Sequence, residues 1–266
     1  MTGRDLVLAI AMRHNGEFAP MLKAIKDKEK IETEELEKIS KSSIKCITIL
    51  DELYPDSLKR IYQPPLALFY KGNIDLLKDT NMLGLLGNKA PSEYGVKATS
   101  SVLNELYILK TKKLPILVTT LGNPSSINSI AINTVLKLHG KVILIMKSGI
   151  DNIYPKASKD IYDAVLKNGG LILSEYPNKI EASIEHSKMA IRLVAGLGIS
   201  LLVPETNKTD SSTHGIYLTL VQGKKVMVLP TDISAKSINN ELIKEGGGLL
   251  VENAIDILNV LKEETK

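Results

Sequence analysis

The sequence predicts an α/β fold whose sheet is mostly parallel and covered by helices on both faces. Three observations carry this. Apolar runs such as Met82–Leu86, Val142–Met146 and Ile199–Val203 are nearly continuous rather than alternating, which is the pattern of strands buried on both sides. They recur at regular spacing, separated by amphipathic stretches long enough to be helices. Glycine, proline, serine and asparagine cluster at the junctions, as in Gly87-Asn88-Lys89 and Gly122-Asn123-Pro124. Together these describe a three-layer Rossmann-like domain with a mostly parallel sheet, preceded by a short N-terminal helical segment.

Residues 1–43 form that segment, an accessory lid or docking element. Leu6, Ile10 and Met12 pattern one helix, Leu22, Ile25 and Ile31 extend the apolar theme, and Thr33 with Glu34 and Glu35 starts another. Residues 44–266 form the main domain. Ile44–Leu50 reads as its entering strand, followed by a helical turn at Asp56–Ile61. Pro64 and Pro65 end that turn by removing donors and restricting the residue before them. Leu66–Tyr70 is a second strand and Asp75–Lys78 a short helix. From Met82 the rhythm is regular: strands at Met82–Leu86, Ile116–Thr119, Val142–Met146, Leu171–Leu173, Ile199–Val203 and Val226–Leu229. The intervening helices are Val96–Leu109, a stretch ending near Leu138, Ile161–Lys167, Ser187–Leu197 and Ile216–Val221. Helices at Asn240–Glu245 and Ala254–Leu261 close the chain.

Composition narrows the function classes. The 266 residues are 44% hydrophobic and 24% charged, ordinary values for a globular protein with a large core. Cys46 is the only cysteine, so there is no intrachain disulfide and no thiolate metal cluster; a reducing cytoplasm is expected. The apolar patch Leu6–Met12 is interrupted by Arg13 and His14, which argues against a signal peptide or a membrane span. Four scattered histidines lack metal-ligand spacing, and neither GxGxxG nor GxxxxGK[ST] occurs. No cofactor is expected. A net charge of +4 permits a nucleic-acid partner without requiring one.

The candidate site lies where parallel strands end. Gly87 allows close backbone approach, and the helix beginning near Gly95 offers unpaired N–H groups to an anion. Lys89 and Ser92 would add an ammonium and a hydroxyl; the plainer reading of Gly87, Asn88, Lys89, Ser92 and Gly95 is a strand-to-helix turn with a helix cap and a solvated lysine. At the next strand end, Gly122, Ser125, Ser126 and Asn128 could give hydroxyl and amide contacts or simply start a helix. Arg192 sits in an apolar helical stretch, as a phosphate ligand or as an internal ion-pair partner of Glu175 or Glu205, with Lys188 adding charge nearby. Tyr94, Tyr154 and Tyr176 could stack on bases or pack against prolines.

Leu53-Tyr54-Pro55 through Leu68-Phe69-Tyr70-Lys71-Gly72-Asn73 resembles, almost without a gap, the signature of the DNA-processing protein A family, DprA/Smf. Further similarities are Ser92-Glu93-Tyr94-Gly95, Ser148-Gly149-Ile150-Asp151, Leu173-Ser174-Glu175-Tyr176-Pro177 and Ala195-Gly196-Leu197, so the resemblance spans roughly Ile44 to Leu250. It implies a non-enzymatic protein that binds single-stranded DNA, assists loading of a RecA-type recombinase in natural transformation, and forms a homodimer. It also implies a chain without the C-terminal winged helix found in some members. Where the family has Gly-Thr-Arg this chain has Gly87-Asn88-Lys89, a charge without the guanidinium fork. Ser126 and Asn128 replace a glycine and an acid, Ala190 replaces an arginine, and Asp210-Ser211-Ser212 alters a small-residue loop. An aspartate facing the pocket there would repel phosphate.

Two rivals follow from these departures. One is an enzyme acting on a nucleotide or nucleotide-sugar, which calls for an acid such as Glu175 or Glu205 facing a narrow cavity. The other is a protein-interaction paralogue that has lost DNA binding.

Overall fold

The computed structural model describes residues 2–40, 44–109 and 114–264. The expected boundary between residues 43 and 44 adjoins residues 41–43, which lie outside the described residues, as do Met1, Thr265 and Lys266 at the ends of the two expected units.

Three helices come first: α1 (Gly3–Arg13), α2 (Phe18–Lys26) and α3 (Thr33–Ser40). The capping box between Thr2 and Asp5 starts α1 by satisfying two terminal N–H groups. Val7, Leu8, Ile10, Met21 and Ala24 bury the apolar faces of α1 and α2 in the main core. Arg4 holds α1 to the body by donating to Asp51 Oδ1 at 3.0 Å and to the Cys46 carbonyl at 2.9 Å. The turn after α1 is equally tight. Gly16 has φ +77°, and a Cβ there would lie 1.9 Å from the Glu175 carbonyl oxygen, so only glycine lets the chain pass.

The body alternates strand and helix. Its elements are β1 (Cys46–Thr48), α4 (Asp56–Lys59), β2 (Ala67–Gly72), β3 (Met82–Leu85), α5 (Glu93–Ile108), β4 (Ile116–Thr120), α6 (Ile127–Lys137), β5 (Val142–Ile145), α7 (Lys159–Lys167), β6 (Leu171–Ser174), α8 (Ile184–Leu197), β7 (Ser200–Val203), α9 (Ser212–Val221), β8 (Val226–Val228), α10 (Asn239–Lys244), β9 (Leu249–Leu250) and α11 (Ala254–Glu264). They build one nine-stranded sheet in the order β1-β2-β6-β5-β4-β3-β7-β8-β9. The pairings β1–β2 and β2–β6 are antiparallel; every other pairing is parallel. In register, Gly84 of β3 lies between Val118 of β4 and Leu201 of β7.

Alternate side chains of each strand feed two cores. Leu83, Leu117, Leu144, Ile172 and Leu202 point into the layer of α5, α6, α7 and α11, which also takes in α1 and α2. Val118, Ile143, Ile145, Leu173 and Val203 point into the layer of α8 and α9. The three-layer α/β class predicted from continuous apolar strands is therefore the observed one.

Differences from the sequence reading are local. β9 has no counterpart in it, because two leucines after Gly246-Gly247-Gly248 carry no period. The entering strand is shorter than Ile44–Leu50. Helices α5, α8 and α9 begin three or four residues earlier than their apolar patterns. For α5 and α8 the start is a serine cap: Ser92 accepts the Gly95 N–H and Ser183 accepts the His186 N–H.

Candidate functional site

The strands β3, β4 and β5 end at one cleft of about 410 Å³. Leu86 and Gly87 follow β3, Thr120 ends β4 with Leu121 and Gly122 following it, and Lys147 follows β5. The opposite wall is the N-terminal turn of α8 with Ser183, Ile184 and Ser187, and the start of α9 with Asp210, Ser211 and Ser212. Because β3 pairs with β4 on one side and with the much later β7 on the other, the cleft sits where the winding of the sheet reverses, the usual ligand position in open α/β sheets.

Lys89 and Lys147 supply the positive charge. Among the described residues neither ammonium has an acidic partner. Burial, and secondarily the charge of Lys89, lowers the pKa of Lys147 below the ordinary lysine value. Two cations held in mutual range, neither ammonium within ion-pair distance of a carboxylate among the described residues, form a site for an anion. Tyr154 is 50% exposed on the same cleft, with Lys147 Nζ 5.1 Å from its ring centroid.

The turn after β3 is differently organised. Two of its backbone donors, the N–H groups of Lys89 and Ser92, are taken by carboxylates of the fold. Glu205 accepts the Ser92 N–H at 2.9 Å and the Asn88 side-chain amide at 3.3 Å, and also receives the Ser92 hydroxyl. Asp210 accepts the Lys89 N–H at 3.1 Å. Gly95 is glycine because a Cβ would lie 2.3 Å from Glu205 Oε2. The Gly87 N–H goes to Asn128 Oδ1 at 3.0 Å, while the Asn128 amide donates to Thr120 Oγ1 at 2.9 Å. Asn128 thus clamps the ends of β3 and β4 together, and Ser126 caps α6.

The eleven residues singled out in the sequence consequently separate. Gly87, Lys89, Gly122, Ser126 and Asn128 line the cleft. Asn88 and Ser92 face a neighbouring depression with Glu205 and Lys236. Gly95 is buried against Glu205, and Ser125 is exposed off the cleft wall. Lys188 is exposed and paired with Glu185 at 2.8 Å. Arg192 is only 2% exposed and donates to Glu175 Oε1 at 2.6 Å, so of the two sequence readings the internal ion pair is the one formed. Its helix turns it into the core, away from the cleft wall made by Ser187, Ala190 and Ile191.

Other basic and aromatic side chains divide in the same way. Lys208 pairs with Glu241, and Lys224 donates to the carbonyls of Ala195, Gly196 and Gly198 at the end of α8. Of the three tyrosines, Tyr94 donates to the Pro230 carbonyl, and Tyr176 is buried with its ring stacked on His186 at 3.9 Å. What pattern reading missed is the contribution of the α8 start. The serine of Ser183-Ile184-Glu185-His186, with an acid in the first turn, was the available signal. Among the described residues, no group of three or more His, Cys, Asp or Glu is placed to hold a metal ion, and no helix is long and apolar enough to cross a membrane.

Comparison with known proteins adds an independent line. The family model described as DNA recombination-mediator protein A matches residues 45–262. The DNA processing protein DprA of Streptococcus pneumoniae is 32% identical over 217 residues, covering 79% of this chain and 72% of that protein. The X-ray structure of DprA from the same species superposes with a TM-score of 0.77 at 29% identity, over 91% of this chain and 81% of that one. A Helicobacter pylori DprA, whose structure was solved to describe its single-stranded DNA binding mode, superposes with a TM-score of 0.71 at 22% identity, over 84% of this chain and 98% of that one.

Proposed function

This chain belongs to the DNA recombination-mediator protein A family, and from that premise we propose that it binds single-stranded DNA in the cleft at the ends of β3, β4 and β5. The observation that carries the reading is the pair Lys89 and Lys147, neither ammonium ion-paired with an acid among the described residues, set beside the half-exposed Tyr154. Two ammonium groups neutralise successive phosphates, and an aromatic face stacks on a base whatever its identity. Gly122, Ser126 and Ser183 border the strand's path with small polar groups. Gly95, Asn128 and Arg192 act as framework.

The enzyme alternative lacks the two acids named for it. Glu175 is engaged by Arg192, Glu205 by the turn of Asn88 and Ser92, and neither lines the cleft. Handing the bound strand to a RecA-type recombinase, working as a homodimer and residing in the cytoplasm belong to the same proposal; their support is the family's recombination-mediator description and the one-cysteine composition.

The test is fluorescence anisotropy of a labelled oligothymidylate across a salt series, with the wild type and the K89A/K147A variant. Loss of two phosphate contacts should weaken binding and flatten the slope of log K against log salt by about 1.4, at about 0.7 per phosphate on single strands. Absence of saturable binding by the folded wild type at low salt, or an unchanged slope in the variant, refutes the reading.

A further inference from the structure

We propose that Asp210 is a built-in occupant of a phosphate position and sets how many phosphates the cleft accepts; the inference rests on the nucleic-acid reading above. Asp210 is 8% exposed and lines the cleft. Its two oxygens collect three donors from two separate elements. Oδ2 accepts the Lys89 N–H at 3.1 Å, from the turn after β3. Oδ1 accepts the Ser212 N–H at 2.9 Å and the Ser212 hydroxyl at 2.8 Å, from the first residue of α9. The N-cap residue Ser211 makes no side-chain capping bond; the carboxylate takes the first N–H of the helix, while those of Thr213 and His214 go to the Asp210 and Ser211 carbonyls.

Backbone amides of a strand-to-helix turn, a helix N-terminus and a hydroxyl converging on one anion are the donors that would otherwise hold a phosphate. Here the chain supplies the anion itself. A polyanion entering the cleft therefore finds two cations, Lys89 and Lys147, but meets a fixed negative charge on the α9 side. Asp210 confines the phosphodiester to the lysine side and excludes one phosphate from the α9 side. It is a positioning and specificity-determining residue for polyanions rather than a ligand for them.

Two variants separate charge from space. D210N removes the charge while keeping an oxygen acceptor for Ser212, and D210S empties the position. Both are titrated with labelled oligothymidylate across a salt series and, independently, with inorganic phosphate followed by thermal shift; unperturbed melting without ligand confirms the fold. The expected result is several-fold tighter oligonucleotide binding by both, with the D210S slope steeper by about 0.7 for one added phosphate. Inorganic phosphate should stabilise D210S more than the wild type or D210N, since the lysine pair is common to all three and only D210S opens a second position. If the wild type binds DNA and the folded variants bind with the same affinity and slope, the inference is overturned and the nucleic-acid reading stands. If no form binds DNA, that reading fails, and the phosphate titration alone decides: a larger stabilisation of D210S than of the wild type and D210N supports the occupied position, equal stabilisation overturns it. Should D210S not fold, D210N decides on its change in affinity.

Discussion

Replacing Arg192 by leucine removes the partner of a carboxylate that has nowhere else to go. Arg192 meets Glu175 Oε1 at 2.6 Å, and both side chains are almost wholly buried. Breaking such a pair from one side costs about 3–5 kcal/mol, because a charge is left in a medium that solvates it poorly. At about 2–4 °C per kcal/mol for a chain of this size, the melting temperature should fall by roughly 6–20 °C. The pair rests on one strong contact: among the described residues Glu175 Oε2 and Arg192 Nε and Nη1 have no hydrogen-bond partner. The E175L/R192L variant should therefore regain most or all of the loss. Burial pushes the Glu175 carboxyl above its usual pKa, with Arg192 opposing. Without Arg192 the shift grows. A carboxyl whose folded pKa exceeds its unfolded one contributes stability in acid that is lost as pH rises through the folded value. The R192L deficit should then be small near pH 5 and grow toward pH 8. Urea unfolding followed by circular dichroism at both pH values measures it. A deficit below about 1 kcal/mol, within the range of ordinary substitutions, or one that does not grow with pH, refutes the reasoning. DNA binding by the double variant with an unchanged salt slope would also fit the framework role; loss of binding by a folded double variant would make Arg192 a ligand.

Two further expectations concern the scaffold. Burial pushes the Cys46 thiol up to about 12, so native protein at pH 8 should resist iodoacetamide while urea-unfolded protein reacts; equal rates would contradict the buried placement. Asn239, 0% exposed, donates to the carbonyls of Val203, Pro204 and Leu229 and accepts the Thr206 N–H at 3.0 Å. N239A should cost about 2–4 kcal/mol by leaving several buried backbone groups unpaired, and a loss under about 1 kcal/mol in urea unfolding would show the loop after β7 adapting instead.

How far the sequence could be read follows physical lines. Strands covered on both faces announce themselves, since nearly every position is apolar, and Met82–Leu85, Val142–Ile145 and Ser200–Val203 were legible for that reason. Helix starts were read late because polar first turns carry no period; Glu93 and Ile184 precede the first patterned residues, and the serine caps were the overlooked signal. The site was legible as a place and less so as a set of roles. Gly87 and Lys89 could be assigned to a strand end from the chain alone. That Glu205 and Asp210 absorb the amides of the same turn could not, because those contacts join residues more than a hundred positions apart. Arg192 shows the same limit, since which face of a largely apolar helix a lone arginine occupies depends on where Glu175 lies.

The sheet order bears on how the chain is made. β1 and β2 leave the ribosome before the other strands of this sheet, yet among the described residues β2 pairs with β1 and β6 alone, and β6 begins at Leu171. During synthesis the Cys46–Gly72 hairpin has no edge to join until about a hundred further residues have emerged, and the loop it closes is correspondingly long. The β3 to β5 strands, by contrast, pair with neighbours supplied within one helical crossover. Assembly that spreads outward from the middle of the sheet leaves an early-made hairpin as a late arrival, holding an apolar edge in reserve while its partner is still being translated.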